Sequence, residues 1–146
     1  MAKVLIFGSS GMLGRELIDY FSQFPEYKIV KIDNKEADIT SFASVFKILK
    51  KHRPNFVINC AALINVEYCE ANPTKAYIVN SIGAGNIARA SADLNLKKTK
   101  FIQISTSDVF GGKKKYFKEN DKPNPVNIYG WSKFFGEKLV EQICTE

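Results

Sequence analysis

The apolar positions change period early in the chain. Lys3 to Phe7 is a short β-branched and apolar run, Gly8, Ser9, Ser10 and Gly11 interrupt it, and Met12, Leu13, Leu17, Ile18 and Phe21 then recur at helical spacing. The pattern predicts a strand, a glycine turn and a helix. Pro25 lies just beyond that helix, and Ile29, Val30 and Ile32 mark a second strand from Lys28 to Asp33. Two strands flanking one helix make a βαβ unit.

Further along, Ala37 to Ile39 reads as a third, very short strand, followed by a helix that Thr40 or Ser41 caps and that runs to Lys51. Phe56 to Asn59 is a continuous apolar run ending in a polar residue, which suits a parallel strand buried on both faces. A loop from Ala61 to Asn72 leads to a long helix that Pro73 opens and that reaches Asn95. Phe101 to Ile104 is the fifth strand. The turn-rich stretch from Ser105 to Ile128 is a loop of a length that usually serves function, and the last helix runs from Tyr129 to Cys144 with Phe134, Phe135, Leu139, Val140 and Ile143 as its buried stripe. This alternation implies an α/β fold of Rossmann type, a doubly wound parallel sheet ordered 3-2-1-4-5 in three αβα layers. The fifth strand is then an edge unless a partner or missing residues cover it, which makes a homodimer one expectation.

Composition narrows the function without choosing it. A chain of 146 residues, 45% apolar and 25% charged, is long enough for one globular domain with a real core. Near the N-terminus the longest apolar run is Val4 to Phe7, too short for a signal-peptide core or a membrane span, so a cytoplasmic protein with no membrane partner is expected. The net charge of +6 rests on eighteen lysines against only Arg15, Arg53 and Arg89, a soluble lysine surface rather than a nucleic-acid reader. Cys60, Cys69 and Cys144 form no CxxC pair and His52 is the one histidine, so no metal site is expected.

Chemistry enters with three features. Gly8, Gly11 and Gly14 give GxxGxxG between the first strand and first helix, where glycine lets a pyrophosphate approach backbone N–H groups at a helix N-terminus. Asp33 ends the second strand nineteen residues after Gly14, close to where such folds place the acid that accepts from ribose hydroxyls. That favours NAD, while Lys31 and Lys35 beside it are suited to a 2′-phosphate and keep NADP open. Tyr129 and Lys133 form YxxxK, as do Tyr27 and Lys31, but only the first pair opens a helix, where side chains four apart are neighbours. An ammonium beside a phenol favours the phenolate, and the pair then exchanges a proton with a carbonyl or alcohol oxygen. Ser105, Thr106 and Ser107 follow the fifth strand at its carboxyl end, where a hydroxyl can orient the reacting oxygen.

Taken together, GSSGMLG at Gly8 to Gly14, VINCAA at Val57 to Ala62, ISTSDVF at Ile104 to Phe110 and YGWSK at Tyr129 to Lys133 resemble the extended short-chain dehydrogenase/reductases. Within them, INCAALINVEYCEANPTKAYIVN and NPVNIYGWSKFFGEK look most like the dTDP-4-dehydrorhamnose reductase family. The resemblance implies an oxidoreductase in which NAD or NADP, as NAD(P)H, delivers hydride to the C4 ketone of a nucleotide-linked 6-deoxyhexulose while Tyr129 protonates the oxygen. Lys133 would bind the nicotinamide ribose and Thr106 the substrate oxygen. Gly8, Ser10, Gly11, Met12, Leu13 and Gly14 would form the phosphate turn, Asp38 and Ile39 flank the adenine, Cys60, Ala61 and Ala62 pass the cofactor, and Asn80 lie near the nicotinamide side. The family also carries a C-terminal half with the remaining strands and most of the sugar-nucleotide pocket, so residues 1–146 are expected to be the NAD(P)-binding domain without its substrate domain. STSDVF departs from the family's usual STDYVF, with Ser107 and Asp108 in place of an acid and an aromatic. Two other readings share the resemblance: a nucleotide-sugar epimerase or dehydratase that recycles a bound NAD, and a non-catalytic module similar to the regulatory subunit of methionine adenosyltransferase.

Overall fold

Four parallel strands order the chain. The structure, a computed structural model, describes residues 1–96, 99–112 and 114–144. Strands β1 (Ala2–Phe7), β2 (Tyr27–Ile32), β3 (Phe56–Asn59) and β4 (Lys100–Gln103) lie side by side as β2-β1-β3-β4. The register pairs Val4 with Ile29 and Phe56, and Ile58 with Ile102, so successive residues of every strand face opposite sides. One side gathers Leu5, Phe7, Ile32 and Val57 against Val45 and Leu49 of α2 (Phe42–His52) and Ile87 and Ala90 of α5 (Gly83–Asp93). The other gathers Val4, Ile6 and Ile58 against Ile18 of α1 (Met12–Phe21). Helices on both faces make the three layers of a Rossmann-type fold, and they explain why β1 is apolar at every position from Val4 to Phe7. Each of those side chains is at most 1% exposed and contributes about 1.5–3 kcal/mol of burial. No helix among the described residues is long and apolar enough to cross a membrane.

The outermost strand expected over Ala37 to Ile39 does not form, so the order 3-2-1-4-5 is reduced to its four longer strands. The backbone there is satisfied locally instead. Ala37 N–H donates to the Asp33 carbonyl at 3.0 Å, Asp38 N–H to Ser44 Oγ at 3.2 Å, and the Ile39 carbonyl accepts from Asn86 Nδ2 at 2.9 Å. A segment whose polar groups are already paired has nothing to offer a sheet edge. The expected loop after β3 contains a short helix, α3 (Val66–Ala71), capped by Asn65, whose Oδ1 accepts from Tyr68 N–H at 2.7 Å.

The long helix opened by Pro73 is continuous in path but not in winding. It runs as α4 (Pro73–Tyr77), a π-helical turn (Ile78–Ile82) and α5. The extra residue of a π turn turns one side chain and one carbonyl away from the helical ladder. Within this turn the Asn80 carbonyl lies against Gly136 of α6 (Ile128–Cys144), where a Cβ would collide with it. Helix α6 begins one residue earlier than its sequence pattern suggested. Asn127 Oδ1 accepts from Gly130 N–H at 2.7 Å, and Glu70 Oε1, from α3, accepts from Ile128 N–H at 2.7 Å.

Gly136→Ala is expected to lower stability by about 1–3 kcal/mol, because overpacking against a backbone carbonyl outweighs the roughly 1 kcal/mol of helix propensity that alanine brings. Equilibrium urea unfolding measures it; a variant at least as stable as the parent would show that α6 and the π turn are not held at this spacing.

Candidate functional site

The carboxyl ends of β1, β2 and β3 open into a cleft of about 590 Å³. Its floor is the glycine turn. Gly8 has φ +75, a conformation open to glycine, and a Cβ there would lie 2.6 Å from the Ala61 nitrogen and 2.8 Å from the Cys60 carbonyl carbon. The turn after β1 therefore rests directly on the backbone leaving β3. Gly14 sits beneath it, where a Cβ would collide with the Gly8 carbonyl oxygen, so α1 starts immediately under the turn. Gly11 is the N-cap residue of α1 and offers no side-chain cap, which leaves the first-turn amides to an external acceptor.

Of the residues singled out in the sequence, Gly8, Ser10, Gly11, Asp33, Asp38, Ile39, Cys60, Ala61 and Ala62 line this cleft together. Phe7, Ile32, Asn34, Ala37, Thr40, Leu63 and Val79 line it as well and carried no sequence signal beyond their neighbours. Asp33 Oδ1 accepts from Lys35 N–H at 2.8 Å, and that backbone bond, ahead of the Glu36 side chain, holds its carboxyl below the usual 3.8. Asp38 Oδ1 accepts both Thr40 N–H, at 2.9 Å, and Thr40 Oγ1, at 2.7 Å. Two carboxylates thus stand on the β2 side of the cleft, each with one oxygen in a local turn.

Met12, Leu13, Gly14, Asn80 and Lys133 do not line the cleft. Met12 and Leu13 lie exposed on the first turn of α1, and Gly14 is buried under Gly8. Asn80 is 2% exposed and fully engaged within the chain. Its Nδ2 donates to the Leu63 carbonyl and to Ser132 Oγ, both at 2.9 Å, and its Oδ1 accepts from Leu63 N–H at 2.7 Å. These bonds tie the β3 exit to α6; its neighbour Val79 is the π-turn residue that reaches the cleft.

Beyond β4, three further groups assemble on α6 and the segment it touches. Lys133 is 4% exposed, and its Nζ donates to the Ile104 carbonyl at 2.6 Å. Burial pulls the Lys133 ammonium below its usual 10.5, while Glu137 and Cys60 oppose that shift. Cys60, in the cleft wall, is pushed up from 9.0 by burial and drawn back by Lys133. Tyr129 stands one turn earlier on the same helix, half-buried. Thr106 caps the 3₁₀ turn Ser107–Val109, its Oγ1 accepting from Asp108 N–H at 3.2 Å. A Cβ on Gly130 would collide with the Asp108 carbonyl, so that turn is pressed against α6 beside Tyr129. Asp108 itself, unremarked in the sequence except as a departure, accepts from Asn127 Nδ2 at 3.2 Å and ties the Thr106 turn to the start of α6.

The buried lysine makes stability depend on pH. In the unfolded chain Lys133 binds its proton below about 10.5, whereas in the folded chain it binds only at lower pH, so between the two values the unfolded state holds more protons and stability rises with pH. Relative to Lys133→Met, the parent chain is expected to gain stability as pH climbs through that window toward 10.5. Urea midpoints of the two chains across this range measure the difference, and a gap that does not change with pH removes the claim that burial lowers the proton affinity of Lys133.

Comparison with known proteins places this geometry. A dTDP-4-dehydrorhamnose reductase of Aggregatibacter actinomycetemcomitans is 37% identical over 141 residues, 96% of this chain and 47% of the relative. The spore coat polysaccharide biosynthesis protein SpsK of Bacillus subtilis is 36% identical over 96% of this chain and 48% of its own. The crystal structure of dTDP-4-dehydrorhamnose reductase from Bacillus anthracis in complex with NADP superposes with a TM-score of 0.90 at 37% identity, covering 97% of this chain and 50% of that one. The chain thus spans about half the length of the curated relatives it matches. A family profile described as the RmlD substrate binding domain matches from residue 2 to residue 146, through the glycine turn, the β3 exit and the Tyr129 helix alike, and the chain belongs to that family.

Proposed function

We propose that the chain is the dinucleotide-binding half of an NAD(P)H-dependent reductase acting on a nucleotide-linked 4-keto-6-deoxy sugar, of the dTDP-4-dehydrorhamnose reductase type. The observation that carries the reading is the meeting of Gly8 with the backbone of Ala61 at the floor of the cleft. A cradle with no room for a Cβ, beside an α1 start without a side-chain cap, fits a pyrophosphate. The relative from Bacillus anthracis, whose structure holds NADP, supports the same assignment.

The remaining roles are those that the resemblance implies. Asp33 has one oxygen outside its turn for the adenosine ribose, and the exposed Lys31 and Lys35 are suited to a 2′-phosphate, so both NAD and NADP are within reach of the same corner. Bound NAD(P)H supplies hydride. Lys133 holds the nicotinamide ribose from α6, Thr106 hydrogen-bonds the substrate oxygen, and Tyr129 delivers the proton to it. The ketone oxygen thereby becomes a hydroxyl as the carbon accepts hydride. The reading places the protein in the cytoplasm, in keeping with three cysteines that form no disulfide, and includes a homodimer.

The test is calorimetric titration of the chain with NADPH and, separately, NADH. Micromolar binding of at least one is expected, with Gly8→Val losing it, since its side chain would occupy the cradle. Tyr129→Phe is expected to keep the cofactor affinity while abolishing oxidation of the reduced cofactor by the keto sugar. If neither cofactor binds, or if Gly8→Val binds as well as the parent, the reading fails.

A further inference from the structure

Two consecutive residues at the end of β4 are gripped by two residues one turn apart on α6. Lys133 Nζ donates to the Ile104 carbonyl at 2.6 Å, and the hydroxyl of the next residue, Ser105, donates to Glu137 Oε1. Ser105 was a candidate in the sequence for orienting a reacting oxygen; its hydroxyl is instead turned toward the helix. Glu137 is half-buried, and it follows Lys133 at the four-residue spacing that brings helical side chains together.

The arrangement answers a problem that Lys133 poses. An ammonium left 4% exposed has exchanged its water for one backbone oxygen, which Gln103 Nε2 also uses at 3.0 Å. One shared carbonyl does not replace the hydration of a full charge. No carboxylate lies within ion-pair distance of it among the described residues; the groups that act on its charge from further off are the Cys60 thiol at the β3 exit and the Glu137 carboxylate one turn on, and of these only the carboxylate carries an opposite charge. A hydrogen bond from Ser105 at the surface ties that carboxylate to the end of β4.

We propose that Glu137 is a positioning residue: clasped by Ser105, it acts as the counter-charge of buried Lys133 and fixes α6 against the end of β4, where the chain turns into Thr106. Its importance for hydride transfer rests on the reductase reading, but the pairing itself does not.

The experiment follows the Lys133 side chain directly. The full chain is labelled with ¹³C at lysine Cε, the Lys133 signal is assigned by its loss in Lys133→Met, and its titration is followed by NMR without cofactor. Glu137→Gln keeps an oxygen for the Ser105 hydroxyl and removes only the charge, so the Lys133 midpoint is expected to fall. Ser105→Ala keeps the charge and frees the carboxylate; the midpoint is expected to fall part of the way, and Ser105→Thr to restore it. A Lys133 midpoint in folded Glu137→Gln equal to that of the parent overturns the proposal. Should Glu137→Gln not fold, an unchanged midpoint in Ser105→Ala overturns it on its own, since that substitution removes an exposed hydroxyl and no core atom. A chain that binds neither NADPH nor NADH and still shows the fall keeps the pairing and defeats only the reductase reading.

Discussion

The contact on which the rest depends is between two stretches of backbone. Gly8 and Ala61 meet with no room for a Cβ, and this sets how closely the turn after β1 lies over the exit of β3. The sheet makes the meeting necessary. β1 and β3 are hydrogen-bonded neighbours running in the same direction, with Phe7 opposite Asn59, so their chains leave the sheet at the same level. Cys60 N–H continues the ladder to the Phe7 carbonyl at 3.0 Å, which draws the two exits together before either can diverge. A side chain at Gly8 would have to part them, and the cleft that opens above them would lose its floor.

The second half of the site is built by the same kind of approach, but against a helix. Helix α6 lies against the Asp108 carbonyl at Gly130 and the Asn80 carbonyl at Gly136. Ser132, fully buried between those points, accepts from Asn80 and donates to the Tyr129 carbonyl at 2.8 Å. Ser81 Oγ donates to the Ser132 carbonyl at 2.7 Å. The turn of α6 that carries Tyr129 and Lys133 is therefore held at three levels, by contacts that involve backbone or short polar side chains. Such contacts have few rotamers to lose, and they fix the position of a helix more sharply than an apolar stripe that can slide.

Much of this was legible from sequence, for reasons that differ by element. The runs at Val4 to Phe7 and Phe56 to Asn59 announced buried parallel strands because burial on two faces leaves no polar alternation, and the position of Gly8 between strand and helix gave the turn. Ala37 to Ile39 misled because three residues cannot display a period; their conformation was decided by Ser44, Asn86 and the Asp33 carbonyl. The π turn was hidden because a single inserted residue shifts the helical phase without leaving a compositional mark. Glu70 and Glu137 escaped notice, and Asp108 was seen only as a departure from a motif, because their partners lie 58, 32 and 19 residues away and no local spacing links them. The Asn80 carboxamide is bonded to Leu63 and Ser132, partners 17 and 52 residues away that no local spacing links to it.

The two halves of the site also differ in what they ask of stability. The glycine turn is satisfied by its own backbone, with Gly11 N–H on the Gly8 carbonyl at 3.1 Å and Ser9 N–H on the Ile32 carbonyl at 3.1 Å. Lys133 is opposed by its surroundings, because burial disfavours its charge and no solvent shell compensates. A side chain of similar length without charge would suit that position better if folding were the only requirement. The fold nevertheless supplies a strand-end carbonyl and a carboxylate at the two places where an ammonium there finds them. A charge held against a gradient of this sort has low reorganisation to pay when a second polar partner arrives, since its orientation is already set. The charge that the fold must accommodate thus lies on α6 and at the β4 exit, away from the glycine turn.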